Sequence, residues 1–430
     1  MLRDVANATR TRVLGHRIRV FDPNEVTRVS DREVPAADVD LDPAAVPAIW
    51  RAIVGLYRTG LHPAIGVCIR YRGAVILDRT IGHARGNGTE HGLTVATPDT
   101  LFNLFSASKP VTAMLVHHAI ERGLVGLDDP ICQYIDGFER HGKHGVTVRH
   151  VLCHRAGIPV VPPESIDLDM LTDRQAMVEV MRDARLVTEP GSALAYHALS
   201  GGFVLAEVLR QVTGEELRQT LQRVITGPLA MRDFGYGVPP ERLDDVAIET
   251  FTGAQPPGFF RQALRHSLGV ELEDAVSMSN DPRFRTGVVP SGNVIGTPNE
   301  VCRFFEMLRG GGTLDGVQVF EPDTVRQAFA EHSFHELDQV IKLPVRYGLG
   351  FMLGGERLSF YGPGTPEAFG HLGFTNVLGY ADPERDLSVA FMNSGKPFIT
   401  PQLLVWLRAI RVIAARIPRT RGAALGRPAR

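Results

Sequence analysis

The spacing of apolar residues changes period several times along this chain. Val46, Ile49, Trp50, Ile53, Val54 and Tyr57 recur at helical spacing. Asp42-Pro43 supplies a cap and a first helical position before them, and Gly60 a stop. The helical spacing then gives way to two strand-like runs. Residues 64–71 and 74–81 read as strands, and the intervening Arg72-Gly73 as a hairpin turn. A Gly- and Thr-rich loop over 86–99 leads to Leu101, Phe102, Leu104 and Phe105, and then to a helix-compatible run that ends near Arg122-Gly123. Helical patterns follow at 147–153, 171–185 and 199–213, with Pro- and Gly-rich loops at 238–260 and 281–296. Residues 298–309 form a capped helix ended by three glycines. Strand patterns return at 347–353, 357–361, 377–381 and 387–393, the last two joined by the turn Asp382-Pro383-Glu384-Arg385. An amphipathic helix over 401–417 closes the chain, with Leu403, Trp406, Leu407, Ile410, Ile413, Ala414 and Ile417 on its apolar side.

Strands near both ends and helices between them predict an α/β (α+β) fold. One antiparallel sheet is drawn from both termini and flanked by helices, and the mainly helical middle is an insertion. The expected divisions are an irregular arm at 1–40, a discontinuous sheet domain at 41–102 and 290–418, a helical insert at 103–289 and a basic tail at 419–430. The tail, with Arg419, Arg421, Arg427 and Arg430, reads as a solvated end.

Composition narrows the partners. A net charge of −2 and an apolar content of 44% give no pull toward nucleic acid or a membrane surface. Cys68, Cys132, Cys153 and Cys302 form no C-x-x-C pair and read as free thiols of a reducing compartment. Residues 1–7 lack the apolar core of a signal peptide, and no run approaches the ~18 apolar residues of a membrane span. A soluble, cytoplasmic protein is expected. No metal and no cofactor are expected, and the pattern is silent on oligomeric state.

Candidate chemistry begins at Ser106-Ala107-Ser108-Lys109, the one Ser-x-x-Lys in a chain of 46 basic residues of which only four are lysine. Residues three apart at a helix start share a face. Burial at a helix N-terminus disfavours the ammonium form, and a neutral amine there accepts the serine proton. Arginine cannot take that role. The same tetrapeptide also reads as a first-turn serine beside a solvated lysine. Two further stretches bear on the choice. Tyr196, in a loop opened by Pro190-Gly191, is a candidate proton shuttle, its phenol pKa depressed by a positive lysine nearby; alone it reads as a half-buried aromatic. Residues 369–376 read as a strand whose glycine admits close backbone approach, with the Phe374 N–H able to pair with that of Ser106 as an oxyanion hole. His371 in that strand, taken alone, reads as an edge-strand histidine with no role.

Ser106-x-x-Lys109, Tyr196 and His371-Leu372-Gly373, in this order, resemble the three motifs of the serine beta-lactamase and penicillin-binding-protein superfamily. The chain is most similar to its class C beta-lactamase-like esterases, the family VIII carboxylesterases. Thr97-Pro98-Asp99-Thr100-Leu101-Phe102, the run 124–130, the run 148–159 with its His154-Arg155-Ala156-Gly157, and the 382–385 turn agree with that resemblance over roughly residues 45–415. The resemblance implies a beta-lactamase/transpeptidase-like fold with the site between sheet and helical parts. It further implies Ser106 as the acylated nucleophile, Lys109 as its base, Tyr196 as second acid and base, the Ser106 and Phe374 amides as oxyanion donors, and a small-molecule ester as the partner.

Two positions depart from the lactamase pattern. Ala198 stands where it has Asn, and His371 where it has Lys. Those groups grip a lactam's amide and carboxylate, so their loss favours an esterase over a lactamase or D-alanyl-D-alanine peptidase. Acyl transfer to an alcohol on the same machinery is an alternative, and a non-catalytic scaffold another. Ala198-Leu199-Ser200-Gly201-Gly202 nearly satisfies a G-x-S-x-G elbow. It lacks the preceding strand, so Ser200 reads as a helix residue without a catalytic role. The loops of 238–296 are expected to shape the acyl pocket.

Overall fold

A computed structural model describes residues 15–88, 92–161, 167–255, 269–398 and 402–419, with isolated positions between 255 and 269. Its core is an antiparallel sheet of ten strands. The N-terminal part supplies β1 (Thr27–Val29), β2 (Ala64–Tyr71), β3 (Ala74–Arg85) and β4 (Thr94–Val95). The C-terminal part supplies β5 (Ser333–Leu337), β6 (Pro344–Tyr347), β7 (Met352–Leu353), β8 (Phe369–Leu372), β9 (Leu378–Asp382) and β10 (Leu387–Asn393). The spatial order is β1-β3-β2-β10-β9-β8-β7-β6-β5, with β4 on β3. The two ends of the chain meet where β2 pairs β10, in a register running from Tyr71 opposite Leu387 to Ile65 opposite Asn393.

Both faces of the central strands are buried, which explains why β2 reads as a nearly unbroken apolar run. Ile65, Val67 and Ile69 point to one face with Val389 and Phe391. There they meet Val46, Ile49 and Ile53 of α1 (Ala45–Tyr57) and Trp406, Ile410 and Ile413 of the C-terminal helix Gln402–Arg416. Ala64 and Cys68 point the other way with Ala390 and Met392, against Phe304, Phe305 and Leu308 of the helix Pro298–Arg309. That second core is continuous with the helical portion, through Val111 and Leu115 of α2 (Lys109–Glu121) and Val204 and Val208 of α3 (Ser200–Thr213). Nearly every residue of α2 is buried, so this helix is enclosed on all sides.

Several elements differ from the sequence expectation. Residues 357–361 form no strand: Gly355, Gly362 and Gly364 break the run, and Tyr361 turns inward to stack on Tyr380 and donate to the Met352 carbonyl. The stretch 347–353 is two strand ends, β6 and β7, separated by a turn at Gly348 to Gly350. Strand β5 has no period-two signal because it is a bulged edge strand with Phe334 and Leu337 exposed. The 281–296 loop contains a helix, Pro282–Thr286, capped by Asp281, and the strand Val294–Gly296. Asp173 splits the 171–185 helix, capping Arg174–Asp183 with its side chain. Helix α1 begins at Ala45, two residues after Pro43, because Asp42 caps the turn before it and accepts from the Ala44 N–H at 2.8 Å. The first described residues are not wholly irregular, since β1 extends the sheet beyond β3.

The four cysteines are free. Among the described residues, no helix is long and apolar enough to cross a membrane, and no group of three His, Cys, Asp or Glu side chains is placed to hold a metal ion.

Candidate active site

A small sheet delivers the chain to Ser106. Phe102–Asn103 pairs antiparallel with Val294–Gly296, and the Leu104 N–H continues the ladder to the Val294 carbonyl at 2.9 Å. Phe105 then takes a left-handed conformation, φ +48°, which a bulky residue adopts only when its surroundings impose it. The Asn103 side chain accepts from the Phe105 N–H at 3.2 Å, and the Ser108 hydroxyl accepts from the Val294 N–H at 2.9 Å. Ser106 emerges half-buried on a single turn of 3₁₀ helix, Phe105–Ser108, that feeds directly into α2.

Lys109 is the first residue of α2, and its amine points inward. Its Nζ lies 3.3 Å from Ser106 Oγ and donates to the Ala198 carbonyl at 2.8 Å, with the Ser291 carbonyl at 3.5 Å. No carboxylate is among these partners. Burial without a counter-charge pushes its pKa down to about 7, so near neutral pH a large fraction is free amine facing the serine hydroxyl. Gly202 of α3 makes room for this arrangement, because a Cβ there would fall 2.1 Å from Ser291 Oγ.

Tyr196 is buried on the loop before α3, with its ring face 4.7 Å from Lys109 Nζ. A depressed phenol pKa is the expectation from sequence, and the structure corrects it. Burial raises the phenol well above its ordinary value, a hydrogen bond with Ser106 opposes this, and the Asp338 carboxylate adds to the rise. The resting phenol is therefore protonated, not a phenolate.

The third motif reaches the same place from the sheet. Gly373 lies so close to the segment leading into Ser106 that a Cβ would stand 2.4 Å from the Leu104 carbonyl oxygen. Its N–H bonds the Val377 carbonyl at 2.7 Å, folding Phe374, Thr375 and Asn376 into a turn with the last two left-handed. The Phe374 ring packs 5.4 Å from that of Phe105. His371 lies on β8, an interior strand between β7 and β9 and not an edge. Its Nδ1 is 2.7 Å from the Leu372 carbonyl, and burial, aided by Lys109, pushes its pKa down to about 3. His371 is therefore neutral. Leu372, half-buried at the end of β8, packs against the core of the sheet.

Phe105, Ser106, Ala198, Leu199, Met278 and Phe284 are among the residues lining a pocket open to solvent. Phe374 and Ser291 border it too, and its described walls carry no charged side chain. Part of this wall is the helix Leu272–Asn280, between the two expected loops, and the short helix Pro282–Thr286, inside the second of them. Ser200 sits apart: its hydroxyl is buried and donates to the Ile158 carbonyl at 2.6 Å.

Three contributors were not singled out in the sequence. Asp338, fully buried after β5, accepts at one oxygen from the backbone N–H groups of Tyr196 (3.2 Å), Val340 (2.8 Å) and Ile341 (3.0 Å). His154 holds the other side of the Tyr196 loop. Its carbonyl accepts from the Ala195 N–H at 3.0 Å, its Nδ1 from the His197 N–H at 3.2 Å, and its ring lies 4.9 Å from that of Tyr196. Ser291 receives the lysine through its main chain. His154 falls within a run that the family resemblance marks; Asp338 and Ser291 carry no local signal. His150, four residues before His154, caps the Thr147 N–H of its own short helix instead.

The beta-lactamase family matches this chain over residues 51–410. The esterase/beta-lactamase LipL of Mycobacterium tuberculosis is 26% identical over 306 residues, 68% of either chain. A penicillin-binding protein homologue from Caulobacter crescentus superposes with a TM-score of 0.76 at 26% identity, covering 87% of this chain and 98% of its own. A family VIII carboxylesterase superposes with a TM-score of 0.72 at 26% identity, covering 85% and 96%.

Proposed function

Because the chain belongs to the beta-lactamase family, we propose that it is a serine hydrolase that cleaves carboxylic esters through an acyl-enzyme on Ser106. The observation that carries this reading is the buried Lys109 amine, without a carboxylate partner among the described residues, 3.3 Å from Ser106 Oγ. Lys109 takes the hydroxyl proton as Ser106 Oγ bonds to the ester carbonyl carbon. The electron pair of the carbonyl moves to oxygen, beside the Ser106 and Phe374 amides. Collapse breaks the bond to the alcohol, and the proton reaches the departing oxygen by way of Tyr196, whose raised pKa suits a donor. Water then attacks the acyl-enzyme with the proton path reversed. The uncharged pocket next to Ser106 favours a neutral, apolar acyl group. The carboxylesterase neighbour supports the same reaction class, and the esterase/beta-lactamase relative includes it.

The test is the mass of the intact protein after exposure to a fluorophosphonate, with the labelled peptide identified. One adduct on Ser106 is expected, and Ser106→Ala is expected to abolish both the adduct and turnover of p-nitrophenyl butyrate. An adduct on Ser200, or full activity of Ser106→Ala, would overturn the proposal.

A further inference from the structure

Beneath the nucleophile turn lies an ion pair that the chemistry above does not use. Lys396 Nζ stands 3.1 Å from Glu249 Oε2, and both side chains are sealed from solvent. Desolvation of two charges commonly costs as much as their attraction returns, and well-packed apolar residues often replace such a pair without loss of stability. Burial pushes the lysine pKa down and the glutamate pKa up, while their attraction opposes both shifts. Fold stability alone is thus a weak reason for the pair.

Its contacts lead to three walls of the site. The Lys396 ammonium nitrogen lies 4.7 Å from the ring centroid of Phe105, the left-handed residue directly before Ser106. It donates to the Asn393 carbonyl at 2.8 Å, with Asn393 Oδ1 at 3.4 Å. The Asn393 amide in turn donates to the carbonyl of Asn376 at 2.9 Å, in the left-handed turn directly after Phe374. On the other side, the backbone N–H and carbonyl of Glu249 exchange hydrogen bonds with the Asn280 side chain at 2.8 and 2.7 Å. Asn280 ends the helix that carries Met278 and Ser279 into the apolar pocket.

We propose that Lys396, paired with Glu249, is a positioning residue for the oxyanion site. It holds the turn bearing the Ser106 amide and, through Asn393 and Asn376, the turn bearing the Phe374 amide in one fixed relation. This rests on the reading of Ser106 as nucleophile. The two amides come from segments far apart in sequence, so their common aim is set by whatever touches both turns. Removing one oxyanion donor costs about 10²–10³ in kcat, and loosening the aim of two is expected to cost about tenfold to a hundredfold.

The experiment compares wild type with the double variant Lys396→Met/Glu249→Met, which removes both charges, and with Asn393→Ser, which cuts the link to Asn376 and leaves the ion pair. In each, kcat for p-nitrophenyl butyrate is expected to fall about tenfold to a hundredfold with KM within about twofold. The rate of fluorophosphonate labelling at Ser106 is expected to fall in parallel, with the thermal midpoint of the double variant near that of wild type. Wild-type kcat and labelling rate in whichever variant folds would overturn the positioning role and leave the Ser106 reading intact. Labelling of the wild type anywhere but Ser106 would instead remove the premise.

Discussion

Three of the four lysines in this chain are buried, whereas most of the described arginines face solvent or pair with carboxylates. Lys143 donates to the carbonyls of Arg140, Arg182 and Ala184 at 2.6–2.8 Å, and burial brings its pKa down to about 8. Lys396 takes a glutamate, and Lys109 a serine and backbone oxygens. A compact ammonium with three donors fits such cages, whereas a guanidinium brings five donors and cannot shed its proton. The rarity of lysine was therefore a legible signal, and it pointed to more than the catalytic candidate. For Lys109 the direction of the shift sets the pH dependence. Its free amine dominates above about 7, so kcat/KM for a neutral ester is expected to be level above that pH and to fall about tenfold per unit below it. Lys109→Arg keeps a charge but cannot accept the proton, and is expected to lose ~10²–10⁴ in rate and the pH break with it. A Lys109→Arg profile like that of wild type would leave the lysine an electrostatic role only.

Elements were legible where one physical signal dominated. The hairpin of β2 and β3 announced itself through Arg72-Gly73, both left-handed as such a tight turn requires, and the helix Pro298–Arg309 through its Thr297 cap and closing glycines. Strand β5 was not legible because one side faces water and its bulge breaks the alternation. The strand matters because it delivers Asp338, the residue directly after its end. Asp338 uses one oxygen to gather three backbone N–H groups, one of them on Tyr196, and no local motif distinguishes this aspartate from an ordinary loop residue. Asp338→Ala leaves those buried donors without a partner, which is expected to cost about 1–3 kcal/mol of stability. The Tyr196 loop is expected to loosen, with kcat falling more than KM rises. Asp338→Asn keeps the accepting oxygen and removes a buried charge whose pKa is already raised by desolvation. Thermal unfolding and ester kinetics on the pair separate the two effects: equal loss in both variants would show that the charge, and not the acceptor, holds the loop.

At the scale of the whole molecule, the sheet drawn from both chain ends places β8, and Gly373 directly after it, against the strand that leads into Ser106. Three short motifs from distant parts of the chain thereby meet around one serine. The order of elements made that architecture legible. The neutrality of the walls was not, because it depends on how deeply each group is buried. A histidine at position 371 in water would carry part of a positive charge in mildly acidic solution; here its pKa is about 3, and it offers no cation to a substrate carboxylate. Ala198 has no side-chain amide to grip a lactam's acyl-amino arm, and its carbonyl is occupied by Lys109. A cephalosporin brought to this site would set its carboxylate beside neutral, largely apolar surface, with its desolvation uncompensated. A short p-nitrophenyl ester asks only for the nucleophile, the base, the oxyanion donors and an apolar pocket. On one preparation, kcat/KM for p-nitrophenyl butyrate is expected to exceed that for a chromogenic cephalosporin by at least about 10²-fold, a gap set by unpaired polar groups. The cephalosporin is expected to acylate Ser106 slowly if at all, which intact mass reports directly. A larger kcat/KM for the cephalosporin would mean that a cation other than residue 371 meets the carboxylate, and the substrate assignment would pass from ester to lactam.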